Sequence, residues 1–221
     1  SIAPGKTLVF IDEVQEAPDI MTMAKFLVED GRCRWAFSGS MLGTQFKGVR
    51  SYPVGYVHEL RMFPLDFEEF CWATGVSEGA LQTIRDACIS ERPIPDYIHD
   101  AMMANFRTYT VVGGMPEVVQ RFLDTQGDLA SVRQLQSELN EQYRRDISKY
   151  ASGRALQVQS IYDQLPIMLE GENKRFVLNS IDPKAHYEKY QRDFVWLVDA
   201  GVALKADIVT EPKSPLLKTA R

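Results

Sequence analysis

Leu8-Val9-Phe10-Ile11 is an uninterrupted apolar run that stops at two carboxylates, Asp12 and Glu13. Such a run predicts a strand buried on both faces, as in the parallel sheet of an α/β protein. The period then changes. Val14-Gln15-Glu16-Ala17-Pro18-Asp19 turns the chain, and apolar residues at Met23, Phe26 and Leu27 predict a helix that starts at Asp19 or its neighbours and ends at Gly31. Cys33 to Phe37 predicts a second strand, closed by Ser38-Gly39-Ser40, so the opening reads as strand, helix, strand. Alternation from Tyr56 to Phe63 predicts another strand. Pro64-Leu65-Asp66-Phe67-Glu68-Glu69-Phe70 then starts a helix with its acids in the first turn, where the helix dipole favours them. From Ala80 to about Leu123 the pattern is helical, interrupted by Pro93 and Pro95 and again by Gly113-Gly114, with Pro116 suited to the first turn of the helix that follows. Leu129 to Tyr150 predicts a longer helix, with Leu135, Leu139 and Tyr143 on one face and Arg144, Arg145 and Lys149 towards its end.

The last third has the order of a winged helix. A helix from Leu156 to Leu169 is followed by a short strand at Arg175-Phe176-Val177, a helix-turn-helix through Asn179-Ser180-Ile181-Asp182-Pro183, a long helix to Ala200 and a strand from Val202 to Val209. Asp182 can cap, with Pro183 at the first helical position. The recognition helix would carry mixed charge, Lys184, Lys189 and Arg192 against Glu188, Asp193 and Asp199, so duplex DNA and a protein surface are equal candidates for its partner. Glu211-Pro212-Lys213-Ser214-Pro215 reads as an exposed linker.

Composition narrows the class without changing these elements. The 221 residues are 45% hydrophobic and 25% charged, enough apolar content for a core in one large or two small domains. A net charge of −5 gives no global attraction to nucleic acid or acidic membranes. Cys33, Cys71 and Cys88 form no Cys-x-x-Cys pair, and His58, His99 and His186 offer no ligand pair at helical spacing, which disfavours a disulfide framework or a zinc site and suits reduced thiols in the cytoplasm. No apolar stretch is long enough to cross a bilayer. The chain begins with Ser, which suggests a fragment or a processed protein.

The candidate chemistry lies where the strands end. In open parallel sheets ligands sit outside the carboxyl ends of the strands, so Asp12 and Glu13 emerge where a ligand is expected. An Asp there can hold Mg²⁺ through water, and the next carboxylate can orient or deprotonate a water that attacks a γ-phosphate. This is the Walker B arrangement of P-loop ATPases; an acidic turn after an apolar strand is the plainer alternative. Gly5-Lys6-Thr7 imitates the end of a phosphate loop, but a strand rather than a helix follows it. A serine nucleophile at Ser38-Gly39-Ser40 lacks both a Gly-x-Ser-x-Gly context and a suitably spaced His. Glu68 and Glu69 suit capping and solvation better than catalysis. Gly113-Gly114 suits a packing turn better than an anion site.

Taken together, LVFIDEVQEAPD, FSGSMLG, YPVGYVHELRMFPLDFEEF, YTVVGGMPEVV and YRRDISKY, in that order, resemble the prokaryotic AAA+-type ATPases whose C-terminal part is a domain of unknown function with a restriction-nuclease-like fold. Resemblance and element order together give an α/β fold: a partial parallel-sheet AAA+ core over residues 1–76, a helical lid and linker over 77–152, and, from the order of elements, a winged-helix domain over 153–221. The resemblance implies ATP and Mg²⁺ as cofactors, Asp12 as the Mg²⁺ ligand through water, Glu13 as the residue acting on water, and a polar sensor 1 at the second strand end, for which Ser40 is the first choice and Ser38 the second. Relatives carry an N-terminal phosphate loop that these residues lack, so the expected activity, Mg-dependent nucleotide hydrolysis, belongs to a full-length parent, with this portion inactive by itself. Where relatives have Gly-Arg, this chain has Gly55-Tyr56, so an arginine finger there is in doubt and Arg50 and Arg61 remain weak substitutes. The alternative function is a winged-helix DNA-binding or protein-interaction module without catalysis. Oligomerisation is left open.

Overall fold

The structure, a computed structural model, describes residues 6–39, 55–151, 153–171, 176–178, 181, 187–206 and 209. The chain divides into two units, residues 1–60 with 145–221 and residues 61–144.

In the first unit, Leu8–Ile11 forms β1, Val14–Glu16 a single 3₁₀ turn, Pro18–Glu29 helix α1 and Arg34–Phe37 strand β2. The strands are parallel, with Leu8 opposite Arg34 and Ile11 opposite Phe37. Parallel neighbours need a crossover, and α1 supplies it. Pro18 opens α1 at a position whose N–H has no helical partner, and Gly31 (φ +67°) turns the chain after its end. Met21 and Ala24 are the buried positions of α1, and the Trp35 indole N–H donates to the Leu27 carbonyl at 3.1 Å, tying helix to sheet. Register and the two-residue side-chain period place Val9, Ile11, Trp35 and Phe37 on the face that meets α1. The other face corrects the sequence expectation. Leu8 and Phe10 are 63% and 62% exposed, so β1 is covered on one side only. Four apolar residues in a row state that a strand could be buried twice; they do not supply the second layer.

The same unit contains the end of α6 (Leu129–Tyr150), α7 (Ala155–Glu170) and α8 (Tyr187–Asp199). Ile147, Val158, Ile161, Tyr190 and Leu197 form its buried cluster, with Phe176 edge-on to Phe194 at 5.0 Å. Asp193, only 2% exposed, faces inward from α8 and receives both Nε and Nη2 of Arg154 at 2.6 Å, while Nη2 also reaches the Lys189 carbonyl at 2.8 Å. The carboxylate raises the Arg154 pKa above its ordinary value. A charge taken out of water needs such a partner.

The second unit is helical: α2 (Phe67–Ala73), α3 (Glu78–Ile89), α4 (Asp96–Val112), α5 (Pro116–Asp124) and α6 up to Arg144. Phe70, Val112, Val118, Val119, Val132 and Leu135 form its core. The helix breaks predicted at Pro93-Pro95 and Gly113-Gly114 are where α3, α4 and α5 separate, and α6 has the predicted bounds.

Three predicted strands, one from alternation and two from the winged-helix order, are not strands where they are described. Residues 55–66 carry no regular element, and Leu60, Met62 and Phe63 are exposed. Residues 176–178 and 202–206 form no strand either, although Val209 is a bridge residue. Alternation marks two faces, but a strand also needs a neighbour's backbone to pair with. The remainder of the winged-helix reading, including Asn179, Ser180 and 182–186, lies outside the described residues.

Candidate functional site

The backbone ladder between β1 and β2 continues past the strands themselves. Ser38 N–H donates to the Ile11 carbonyl at 3.0 Å, and Val14 N–H donates to the Ser38 carbonyl at 2.9 Å. Ser38 is thereby stitched on both sides to the segment that carries the acid pair. Its hydroxyl donates to Asp12 Oδ1. The same oxygen accepts the Glu13 N–H at 3.1 Å. Oδ2 takes no hydrogen bond among the described residues.

Between strand and 3₁₀ turn the chain bends sharply. Glu13 adopts a left-handed conformation (φ 50°, ψ 49°), uncommon for a residue with a β-carbon. Val14, the next residue, is fully buried and anchors the bend. The Glu13 carboxylate accepts a hydrogen bond from Gln15 Nε2. Both acids are exposed.

Of the residues singled out in the sequence, the structure brings together Asp12, Glu13 and Ser38. Ser40, first choice for the polar residue at the second strand end, lies outside the described residues, as does Arg50. Tyr56, standing where relatives have Arg, is held on α1: its hydroxyl donates to Glu29 Oε1 at 3.0 Å, and Lys25 Nζ lies 5.5 Å from its ring centre. Gln15 was missed. Two residues beyond a carboxylate it reads as part of a polar turn, and only the left-handed backbone at Glu13 folds it back.

The donor set suits Mg²⁺ better than a metal that seeks several protein ligands. Among the described residues no group of three or more His, Cys, Asp or Glu side chains could hold a metal ion. Mg²⁺ keeps most of its waters and takes one or two carboxylates plus substrate phosphates, a demand that one exposed Asp oxygen can meet.

The other candidates have structural work. Glu69 and Asp66 form a reciprocal cap on α2, Glu69 N–H to Asp66 Oδ1 at 2.8 Å and Asp66 N–H to Glu69 Oε2 at 2.9 Å, while Glu68 pairs with Arg85. Gly114 accepts the Leu65 N–H at 2.7 Å, a β-carbon on it would collide with the Leu65 carbonyl, and Tyr109 donates its hydroxyl to that carbonyl at 2.8 Å. The Pro-Leu-Asp-Phe and Gly-Gly-Met-Pro blocks are thus two halves of one packing joint. Burial pushes the Cys71 thiol above its ordinary pKa, leaving it a protonated core residue rather than a nucleophile. On α8 the exposed charged side chains are Glu188, Lys189, Arg192 and Asp199, two of each sign.

Residues 1–71 match the family model of an AAA domain, which covers β1, β2 and the acid pair and marks the N-terminal region as AAA-type ATPase-like. Residues 103–221, more than half of the chain, match a domain of unknown function, DUF8612. The chain belongs to the DUF8612 family. No curated protein and no solved structure matches it. In this DUF8612 protein Asp12, Glu13 and Ser38 fall outside the family's own segment and inside the AAA-type one. No helix among the described residues is long and apolar enough to cross a membrane.

Proposed function

We propose that the chain is the acid-pair portion of an AAA-type nucleotide-hydrolysing switch, whose phosphate loop comes from the full-length protein. The observation that carries this reading is the junction of two parallel strand ends, where Asp12 accepts the Ser38 hydroxyl and Glu13 stands exposed on a left-handed backbone.

In this reading Asp12 holds Mg²⁺ through water, using the oxygen that Ser38 leaves open. Held there, Mg²⁺ would supply neutralisation of the charge that develops on the phosphates. Glu13 orients the attacking water and takes its proton. Ser38 keeps the Asp12 carboxylate turned, and the hydroxyl-bearing strand end, with Ser38 or Ser40, senses the γ-phosphate. The helical segment over 77–152 and the DUF8612 segment transmit the nucleotide state to a partner.

The test is Mg-dependent ATP hydrolysis by the full-length protein and its Asp12→Asn variant. The variant is expected to need a Mg²⁺ concentration at least tenfold higher for half-maximal rate. An unchanged Mg²⁺ dependence removes Asp12 from the metal site and the reading with it.

A further inference from the structure

Gln15 sits in the 3₁₀ turn, yet its side chain does not behave as an exposed turn residue. Its Nε2 donates to Oε2 of Glu13, two positions earlier, across the left-handed bend. The amide can take this hydrogen bond in one orientation only. Turned over, its oxygen would face an ionised carboxylate, two acceptors with no proton between them. The orientation that serves Glu13 leaves Gln15 Oε1 buried with no hydrogen-bond partner among the described residues. An amide free to choose would place its oxygen where a donor or water could reach it. Of the two orientations of the amide, the one present sets a donor against the Glu13 carboxylate.

The base of the clasp is fixed as well. Val14, between the two residues, is fully buried and bonded through its N–H to the Ser38 carbonyl at 2.9 Å. An exposed glutamate has three side-chain torsions to order. Here the left-handed backbone sets where the side chain starts, and the Gln15 amide holds where it ends. One carboxylate oxygen is occupied and the other is presented to solvent in a defined direction, which is what a group acting on a single water requires. The charged groups nearest in the chain are Asp12, tied by Ser38, and Glu16, 4.0 Å from Lys149.

We infer that Gln15 is a positioning residue for Glu13, fixing the direction of its carboxylate before nucleotide arrives. This rests on the hydrolytic reading of the acid pair. Gln15 acts through Glu13, so its effect disappears when Glu13 cannot act.

Two measurements test it. In ¹H–¹⁵N spectra of the 221-residue chain without nucleotide, the Gln15 side-chain amide is expected away from solvent-exposed glutamines and to join them in Glu13→Ala. In the full-length protein, Gln15→Ala and the isosteric Gln15→Glu are expected to lower kcat for ATP about tenfold with KM unchanged. The double variant Glu13→Gln, Gln15→Ala is expected to be no slower than Glu13→Gln alone. An amide resonance unmoved by Glu13→Ala overturns the clasp. Unchanged kcat in the Gln15 variants, or losses that add to those of Glu13→Gln, overturn the positioning role while the acid pair stands. Full activity in Glu13→Gln instead sinks the acid-pair reading, and the positioning role falls with it.

Discussion

The N-terminal strand-helix-strand segment and the helical unit of residues 61–144 treat their polar groups in opposite ways. In the helical unit, acids are spent on the fold: Asp66 and Glu69 cap α2, and Glu68 and Glu78 hold Arg85. Gln136 donates to the last carbonyls of α4, at Val111 and Val112 (2.9 and 3.0 Å). In the strand segment the acids stand exposed at the strand ends, one of them on a left-handed backbone, beside an apolar strand face with Leu8 and Phe10 open to solvent. Family-like blocks occur in both regions, so a block by itself does not mark chemistry. What separates them is the partner: in the helical unit acids meet backbone N–H groups and an arginine, whereas the side chains that meet Asp12 and Glu13 at the strand ends are neutral, and each of these acids keeps an oxygen open among the described residues.

That contrast can be broken from the helical side first. Phe70 is fully buried between Tyr109 and Phe122, at ring separations of 5.3 and 6.3 Å, and Phe70→Ala is expected to destabilise the unit by about 3–5 kcal/mol in denaturant titration. A loss below about 1 kcal/mol would mean that the cluster around it is not the core. Gly114→Ala forces a β-carbon onto the Leu65 carbonyl and is expected to lose about 1–3 kcal/mol, with no effect on nucleotide binding by the full-length protein. Selective loss of nucleotide binding at normal stability would turn the packing joint back into an anion site.

The strand segment should respond with the opposite sign. Glu13→Gly relieves the left-handed backbone and is expected to gain about 1 kcal/mol of stability while abolishing hydrolysis. A destabilised variant would show that Glu13 serves the fold, as Glu69 does, and the distinction between the two regions would vanish.

How much of this could be read along the chain follows from the same physics. Local signals carried well: the prolines and glycines that separate α3, α4 and α5, the acidic first turn of α2, and the full extent of α6 depend on neighbours within a few residues. So did the pairing of the first two strands, because a helix of suitable length between two short apolar runs leaves parallel pairing as the simple solution. Strands whose partners would have to come from elsewhere did not carry. Tyr56 to Phe63 alternates as a strand should, yet forms no regular element. The inward turn of Asp193 was equally illegible, since its partner Arg154 lies 39 residues away and a charge on a helix reads as surface until its partner is known. At the site, Asp12 and Glu13 were visible as an abrupt end to an apolar run. That Ser38 contacts Asp12, and that Gln15 folds back on Glu13, depends on ladder register and one backbone torsion, which residue types do not encode one by one.

The central claim is that Glu13 acts on water at an AAA-type nucleotide site. Single-turnover ATP hydrolysis by the full-length protein and its Glu13→Gln variant, with nucleotide affinity measured alongside, addresses it most directly. The expected result is a rate at least about 100-fold lower with affinity unchanged, in the range that removal of a general base produces. Equal rates in the two proteins would contradict it.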